Sequence, residues 1–181
     1  MRVYYDTGVF IDYLSVRGNT ILRTAGRRGR TPASVAADAE RLFEAVSRAH
    51  VGATSCLTFY EAEEALYKQL AQSAKGVSRA NTLLIPAARA ITAQVQIVAD
   101  LFKISVLDLT VGTIRAQLEN PQLGTRGVRA ADALHAVTAI AFDADLIVST
   151  DEGLLQLDGL LSNSRSEKIL CRDTDAALQP T

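Results

Sequence analysis

The sequence predicts an α/β fold in three layers, with a mostly parallel central sheet of four to five strands and helices on both faces. Three observations carry this. Short β-prone runs alternate with longer amphipathic stretches along the whole chain. The length of 181 residues suits one domain, with neither an internal repeat nor a linker to divide it. Hydrophobic residues make up 48% and charged residues 22% of the chain, an ordinary globular balance.

The elements follow in order. Arg2–Tyr5 reads as a buried strand ending at Asp6, with a short helix next through Val9, Phe10, Ile11, Tyr13 and Leu14. Residues 17–37 break the pattern: Gly18, Gly26, Gly29 and Pro32 punctuate a stretch with five arginines (17, 23, 27, 28 and 30) and no acid. It reads as a basic loop or insertion. Val35–Ala49 is a helix, His50–Cys56 a second strand and Thr58–Gln72 a helix. A further helix runs from Arg79 to about Phe102, where Pro86 is expected to kink it near its start. Ile104–Leu107 is a third strand, Thr110–Glu119 a helix, Asn120–Gly127 a loop and Val128–Phe142 a helix. Leu146–Ser149 is a fourth strand, Glu152–Leu157 a short helix and Lys168–Cys171 a last edge strand. Residues 1–175 therefore form a single domain with the basic insertion at 17–37, and 176–181 are a tail.

Composition excludes several classes. Nineteen Lys and Arg against twenty Asp and Glu give a net charge of −1, which is not that of a polyanion-binding tail. The longest stretch free of charge, Ala49–Tyr60, is 12 residues, short of the roughly 18 a bilayer span needs. The N-terminus has no apolar run or small-residue cleavage site of a signal peptide, so the cytoplasm is expected and a membrane is not. Cys56 and Cys171 have no CxxC spacing, and with His50 and His135 they form no zinc-site pattern. GxxxxGK[ST], HExxH and GxSxG are all missing, so nothing points to a P-loop enzyme, a zinc protease or a serine hydrolase.

The informative residues are acids. In open α/β sheets, ligands bind beyond the carboxyl ends of the strands. Asp6 closes the first strand, Glu61 opens the helix after the second, and Asp151 follows the fourth. Asp132 sits inside a helix where Val128, Ala131, His135, Ala139 and Phe142 share its side at 100° per residue. Leu134, Val137 and Ile140 cover the rest, so the helix should be largely buried. A carboxylate there is costly unless paired, either with Arg129 or with a bound cation. Each acid also fits a plainer role. Asp6 and Asp151 suit helix N-caps, Thr58-x-x-Glu61 is a formal capping box, and His135 suits a hydrogen-bonded core histidine. The combination of Asp6, Glu61, Asp132 and Asp151 argues for more than caps.

The same residues resemble a known family. Val3-Tyr4-Tyr5-Asp6-Thr7-Gly8-Val9-Phe10-Ile11 is similar to the opening of PIN-domain nucleases, and Ala53 to Glu61 to their second motif. Arg129-Ala130-Ala131-Asp132-Ala133-Leu134-His135-Ala136 resembles the third motif, and Leu146-Ile147-Val148-Ser149-Thr150-Asp151 the fourth, 19 residues on from Asp132. The resemblance covers most of the chain and is nearest to VapC-like toxins of type II toxin–antitoxin pairs.

That resemblance implies a PIN-like α/β/α fold and a metal-dependent endoribonuclease leaving a 5′-phosphate and a 3′-hydroxyl. Asp6 and Asp132 would be the principal ligands of Mg²⁺ or Mn²⁺, with Asp151 a third, direct or through water. Glu61 either completes a second metal site or orients the water. Thr7 and Thr150 would hydrogen-bond the carboxylates. Arg126 and Arg129, together with Arg27, Arg28 and Arg30, would meet RNA phosphates. A cognate antitoxin and a homodimer are the partners the resemblance brings with it. The alternatives are a chromosomal RNA-processing enzyme and a PIN-like binding or scaffold module without metal.

Overall fold

In β1 (Arg2–Tyr5) the side chains alternate: Val3 and Tyr5 turn to one face of the sheet and Tyr4 to the other, and all three are fully buried. This two-sided burial fits a central parallel strand. The computed structural model, which describes residues 1–18, 26–76 and 80–178, places β1 between β2 (Val51–Ser55) and β4 (Leu146–Val148). β3 (Ile104–Leu107) lies outside β2, and β5 (Leu170–Arg172) outside β4. The five strands run in the order β3-β2-β1-β4-β5, all parallel.

One face is covered by α1 (Thr7–Arg17), α2 (Pro32–Ala49), α3 (Leu57–Ser73), α4 (Asn81–Arg89) and α5 (Ile91–Leu101). Phe43 is the hub of this half of the core. Its ring centroid lies 5.0 Å from that of Tyr5, 5.3 Å from Phe10 and 5.2 Å from Phe102, spacings at which aromatic pairs attract beyond simple burial. The other face carries α6 (Val111–Glu119), α7 (Pro121–Thr125), α8 (Ala130–Ala141) and α9 (Glu152–Leu155). Leu123, Ala133, Ala136, Val137 and Leu154 pack there on Tyr4, Ala53 and Ile147, and α6 packs on α8.

Local chemistry moves several boundaries. Thr31 accepts the Ser34 N–H at 3.2 Å and Pro32 takes the first helical position, so α2 starts earlier than Val35. The irregular basic stretch is accordingly shorter than 17–37. Arg17 ends α1, residues 32–37 belong to α2, and 19–25, with Arg23, lie outside the described residues. Gly26–Thr31 holds a tight turn with Arg28 and Gly29 at φ 50° and 73°, closed by Arg30 N–H donating to Arg27 O at 2.9 Å. Asn120–Gly127 is more than a loop: Asn120 caps the Gln122 N–H at 3.0 Å, Pro121 follows, and one helical turn buries Leu123. The helix expected through 102 is two helices meeting at Ala90, with Pro86 inside the first. The break lets Ala88, Ile91, Val95 and Val98 all reach the core beside α3. Among the described residues, only the span Asn81–Leu101 has the length and mean hydropathy, 1.3, of a membrane-crossing helix.

The turn at Gly26–Thr31 is tied down by its own arginines. The Arg27 guanidinium bonds Asp12 of α1 at 2.7 Å and Asp173 just past β5, and all three side chains are 11% exposed or less. Arg30 bridges Asp38 of α2 and Asp173, each at 2.8 Å. Removing one partner from such a buried network leaves uncompensated charge, so Arg27→Ala should lower stability by about 3–5 kcal/mol in chemical denaturation. Burial works against the Asp173 charge, but Arg27, the Thr174 amide and Arg30 together outweigh it and draw the carboxyl down from 3.8 to about 2. A carboxyl depressed in the folded state stabilises above its unfolded value and loses that contribution as pH falls through the folded one. The Arg27→Ala protein should therefore gain less stability between about pH 2 and 4 than the wild type, readable as a flatter acid limb of the melting profile.

Candidate functional site

The pairing of β1 with β4 builds the first part of the site. Asp6 N–H donates to Val148 O at 3.0 Å, which carries the ladder one residue past the strand. Asp6 occupies the N-cap position of α1, yet its side chain caps nothing. It accepts instead from the Ser149 hydroxyl at 2.6 Å and is 5% exposed. Gly8, in the first turn of α1, sits where a Cβ would fall 2.0 Å from Thr150 Oγ1, so glycine is what lets α1 start against the loop after β4.

Glu61 is delivered by α3, and the expected capping box does not form. Cys56 is at the N-cap, and the Thr58 hydroxyl points inward to Thr54 Oγ1 at 2.8 Å and Thr7 Oγ1 at 3.3 Å. One turn on, Glu61 Oε2 takes hydrogen bonds from the Thr7 hydroxyl and from His135 Nε2, the latter at 2.8 Å. His135 is a fully buried, hydrogen-bonded core histidine, and its partners are site residues. Its Nδ1 lies 2.8 Å from the Tyr4 hydroxyl, and its Nε2 is 3.7 Å from Asp6 Oδ1.

Asp132 projects from the first turn of α8, three residues before His135 on the same side. It is half-buried rather than enclosed, and no ion pair joins it to Arg129 among the described residues. It opens on a cleft of about 390 Å³ lined by Gly127, Arg129, Asp132, Thr150, Asp151 and Glu152. Asp151 is the N-cap of α9, accepting the Gly153 N–H at 2.6 Å, so its cap role and its place at the site coexist. A Cβ built on Gly153 would stand 2.9 Å from Asp132 Oδ2 and 3.0 Å from Asp151 Oδ1. The two carboxylates thus crowd the same face of Gly153, which leaves no room for a side chain there.

The electrostatics are those of crowded acids. Burial pushes the Asp6 carboxyl up, with Glu61 and Asp151 adding to the rise and His135 and Ser149 opposing it. Asp132 is pushed up to about 6 by burial and then by Asp151, Asp6 and Glu61. Glu61 is also disfavoured by burial, but its bonds to His135 and Thr7 bring it below the usual value. Burial opposes the His135 charge, and the hydrogen bond to Glu61 with the charges of Asp6 and Asp132 overrides it, raising the imidazole.

The predicted positions therefore fall into groups. Asp6, Glu61, Asp132 and Asp151 are neighbours: Glu61 and Asp151 raise the Asp6 carboxyl, and Asp151, Asp6 and Glu61 raise that of Asp132. Thr7 bonds a carboxylate, whereas Thr150 lines the cleft and packs on Gly8. Arg129 stands at the cleft wall and Arg126 is exposed nearby. Arg27 and Arg30 are committed to the buried network, and Arg28 reaches Glu152 at the cleft rim and Asp173. Sequence reasoning passed over Ser149 and Tyr4. Ser149 had a signal: it directly follows β4 at the carboxyl edge where Asp6 also lies.

Asp6, Glu61 and His135 each offer a ligand atom, all within 4.8 Å of one another. With Asp132 and Asp151 beside them, the donors are mainly carboxylate oxygens, the set a hard divalent cation prefers.

A parallel sheet flanked by helices on both faces, in this strand order, is a PIN-like fold. A chain of VapBC2 from Rickettsia felis, crystallised bound to a DNA fragment from its promoter, shares it with a TM-score of 0.51 over 96% of this chain and 98% of that chain, at 15% sequence identity. No protein-family model matches the sequence, and no curated protein matches it.

A test of the crowding follows from the sign of the Asp132 shift. Between 3.8 and about 6 the folded state binds more protons at Asp132 than the unfolded chain does, so stability falls as pH rises through that window. In metal-free buffer, Asp132→Asn should be as stable as the wild type or more so at pH 7. The difference should close as pH falls towards 3.8. Thermal melts across that range check it, and a variant destabilised at neutral pH would contradict it.

Proposed function

We propose that the protein is a metal-dependent endoribonuclease of the PIN type and the toxin of a toxin–antitoxin pair. The observation that carries this reading is the crowding of Asp132 and Asp151 against Gly153, with Asp6 and Glu61 raising the Asp132 carboxyl further. Four acids gathered at the carboxyl edge of a parallel sheet are unfavourable unless a cation joins them. The likeness to a VapBC2 chain supports the toxin assignment and an antitoxin as partner. A cytoplasmic location, a homodimer, and residues 1–175 acting as one unit belong to the same reading.

In this reading Asp6, Asp132 and Asp151 hold Mg²⁺ or Mn²⁺, and Glu61 holds a second ion or orients the attacking water. An ion held there would supply Lewis acidity to the phosphoryl oxygen and make a bound water more acidic. Ser149 keeps the Asp6 carboxylate aimed into the site, and Thr7 does the same for Glu61. Arg129 at the cleft wall, and Arg126 beside it, take the phosphates flanking the cut. Arg28 joins them when it leaves Glu152, and Arg27 and Arg30, whose charge is met by Asp12, Asp38 and Asp173, serve by holding the turn that carries Arg28. Such contacts position the strand without reading its sequence.

The test is cleavage of end-labelled RNA by the purified protein with Mg²⁺, Mn²⁺ or a chelator. Cuts leaving 5′-phosphates are expected with either metal and none with the chelator. Asp6→Asn and Asp132→Asn should each lower the rate by at least about 100-fold, the upper end of the cost of losing a group that merely supports a metal ligand. A folded protein that binds metal and cuts no RNA, in the presence or absence of a co-purified antitoxin, would refute the nuclease reading. One with no metal response in its melting temperature would favour the scaffold module.

A further inference from the structure

We propose that His135 is a positioning residue that holds Glu61 through an Nε2–H, and not a metal ligand, although its Nε2 lies among the ligand atoms of the site. The inference rests on the metal-dependent reading for the role it gives Glu61. It does not rest on it for the position of the proton.

A count of hydroxyl protons leads there. The Tyr5 carbonyl can only accept, and it takes the Thr54 hydroxyl at 2.8 Å. Thr54 has then spent its proton, so in the 2.8 Å contact between Thr54 and Thr58 the donor is Thr58. Thr58 in turn has none left for Thr7. The single Thr7 proton goes to Glu61 Oε2, or to Thr58 Oγ1 at 3.3 Å, and not to His135 Nε2, which would leave the Glu61 carboxylate facing a bare nitrogen at 2.8 Å. Either way Thr7 presents a lone pair to His135 Nε2 at 3.2 Å, and Glu61 Oε2 presents another at 2.8 Å. Two acceptors facing one ring nitrogen require an N–H there. In the neutral ring that fixes Nδ1 as the acceptor of the Tyr4 hydroxyl at 2.8 Å. In the charged ring both nitrogens donate, and Nε2 still carries its proton.

The consequence falls on Glu61. Its Oε2 is held by Thr7 and by His135, which leaves Oε1 to meet a cation or a water. The cation then sees oxygen donors only, and the imidazole acts by fixing the carboxylate's rotamer. An outer group of this kind commonly alters metal affinity by about 10–100-fold when lost.

Nitrogen-15 NMR of the metal-free, imidazole-labelled protein reads the proton directly. A protonated Nε2 is expected, and a bare Nε2 with a protonated Nδ1 would overturn the assignment whether or not the protein is a nuclease. In Tyr4→Phe, which removes only the hydroxyl at Nδ1, the Nε2 proton should persist, because Glu61 and Thr7 still face that nitrogen; its loss there would overturn the assignment. Pulsed EPR of the Mn²⁺-loaded protein tests the ligand question. No coupling to a directly bound nitrogen is expected, and strong nitrogen coupling that vanishes in His135→Gln would make His135 a ligand. His135→Gln keeps an N–H within reach of Glu61, so its Mn²⁺ affinity should stay within about 3-fold of wild type, while His135→Leu should lose about 10–100-fold. Equal losses in the two folded variants would refute the positioning role. Failure to cleave RNA, with the NMR result as expected, would count against the nuclease reading alone.

Discussion

The register in which β1 pairs with β4, Tyr5 opposite Val148, brings the first residue beyond each strand, Asp6 and Ser149, side by side. Much of the site depends on that register. It sets the Ser149 hydroxyl on the Asp6 carboxylate, and the next residues of that loop bring Thr150 against Gly8 and Asp151 towards Asp132. A slip of one residue would turn Val148 and Ile147 to the wrong faces of the sheet and part these side chains together. The register is protected because β1 and β4 are buried on both faces and their apolar residues belong to two separate cores. The packing that stabilises the sheet is therefore also what gathers the charges.

Gathering them has an electrostatic cost that the site distributes unevenly. His135 and Thr7 serve Glu61, which stays readily ionised, and Ser149 serves Asp6. Among the described residues Asp132 has no such donor, and it carries the burden, with its carboxyl pushed up to about 6. With Asp151 it also opens on the cleft, where a cation would arrive. Without metal, a proton at Asp132 relieves the crowding, and on the proposed reading a cation would displace it. Such a local departure from the stability optimum is the mark expected of a functional place in an otherwise consistent fold.

How far the sequence disclosed this differs from residue to residue. The strands were legible because buried parallel strands are short, apolar and bounded by turns, and Ile104–Leu107 was placed to the residue. The four acids were legible by their position after strands and on the α8 face. Their local roles were not. Asp6 looks like a cap and is not one, Thr58 and Glu61 look like a capping box and form none, and Asp151 is a cap and lies at the site as well. Cap chemistry and site chemistry use the same residue types, and only the tertiary partner decides between them. The tertiary partner also explains the basic stretch. Arg27 and Arg30 meet Asp12, Asp38 and Asp173, residues 8 to 146 positions away in the chain, so no local pattern could assign them.

That last point bears on how a polyanion would be received. The chain has nearly balanced charge, and much of its positive charge is spent on internal carboxylates. Arg27 and Arg30 are in the buried network, Arg165 faces Asp143, Asp145 and Glu167, and Arg172 faces Asp158. The acids at the sheet edge repel phosphate. Arg129 lines the cleft and, among the described residues, has no carboxylate partner. An RNA strand would thus be drawn by few fixed cations and held mainly once the acids themselves are neutralised. Binding of metal and of substrate would then be coupled: the ion that lowers the repulsion among Asp6, Asp132 and Asp151 also turns the cleft from a barrier to phosphate into a seat for it.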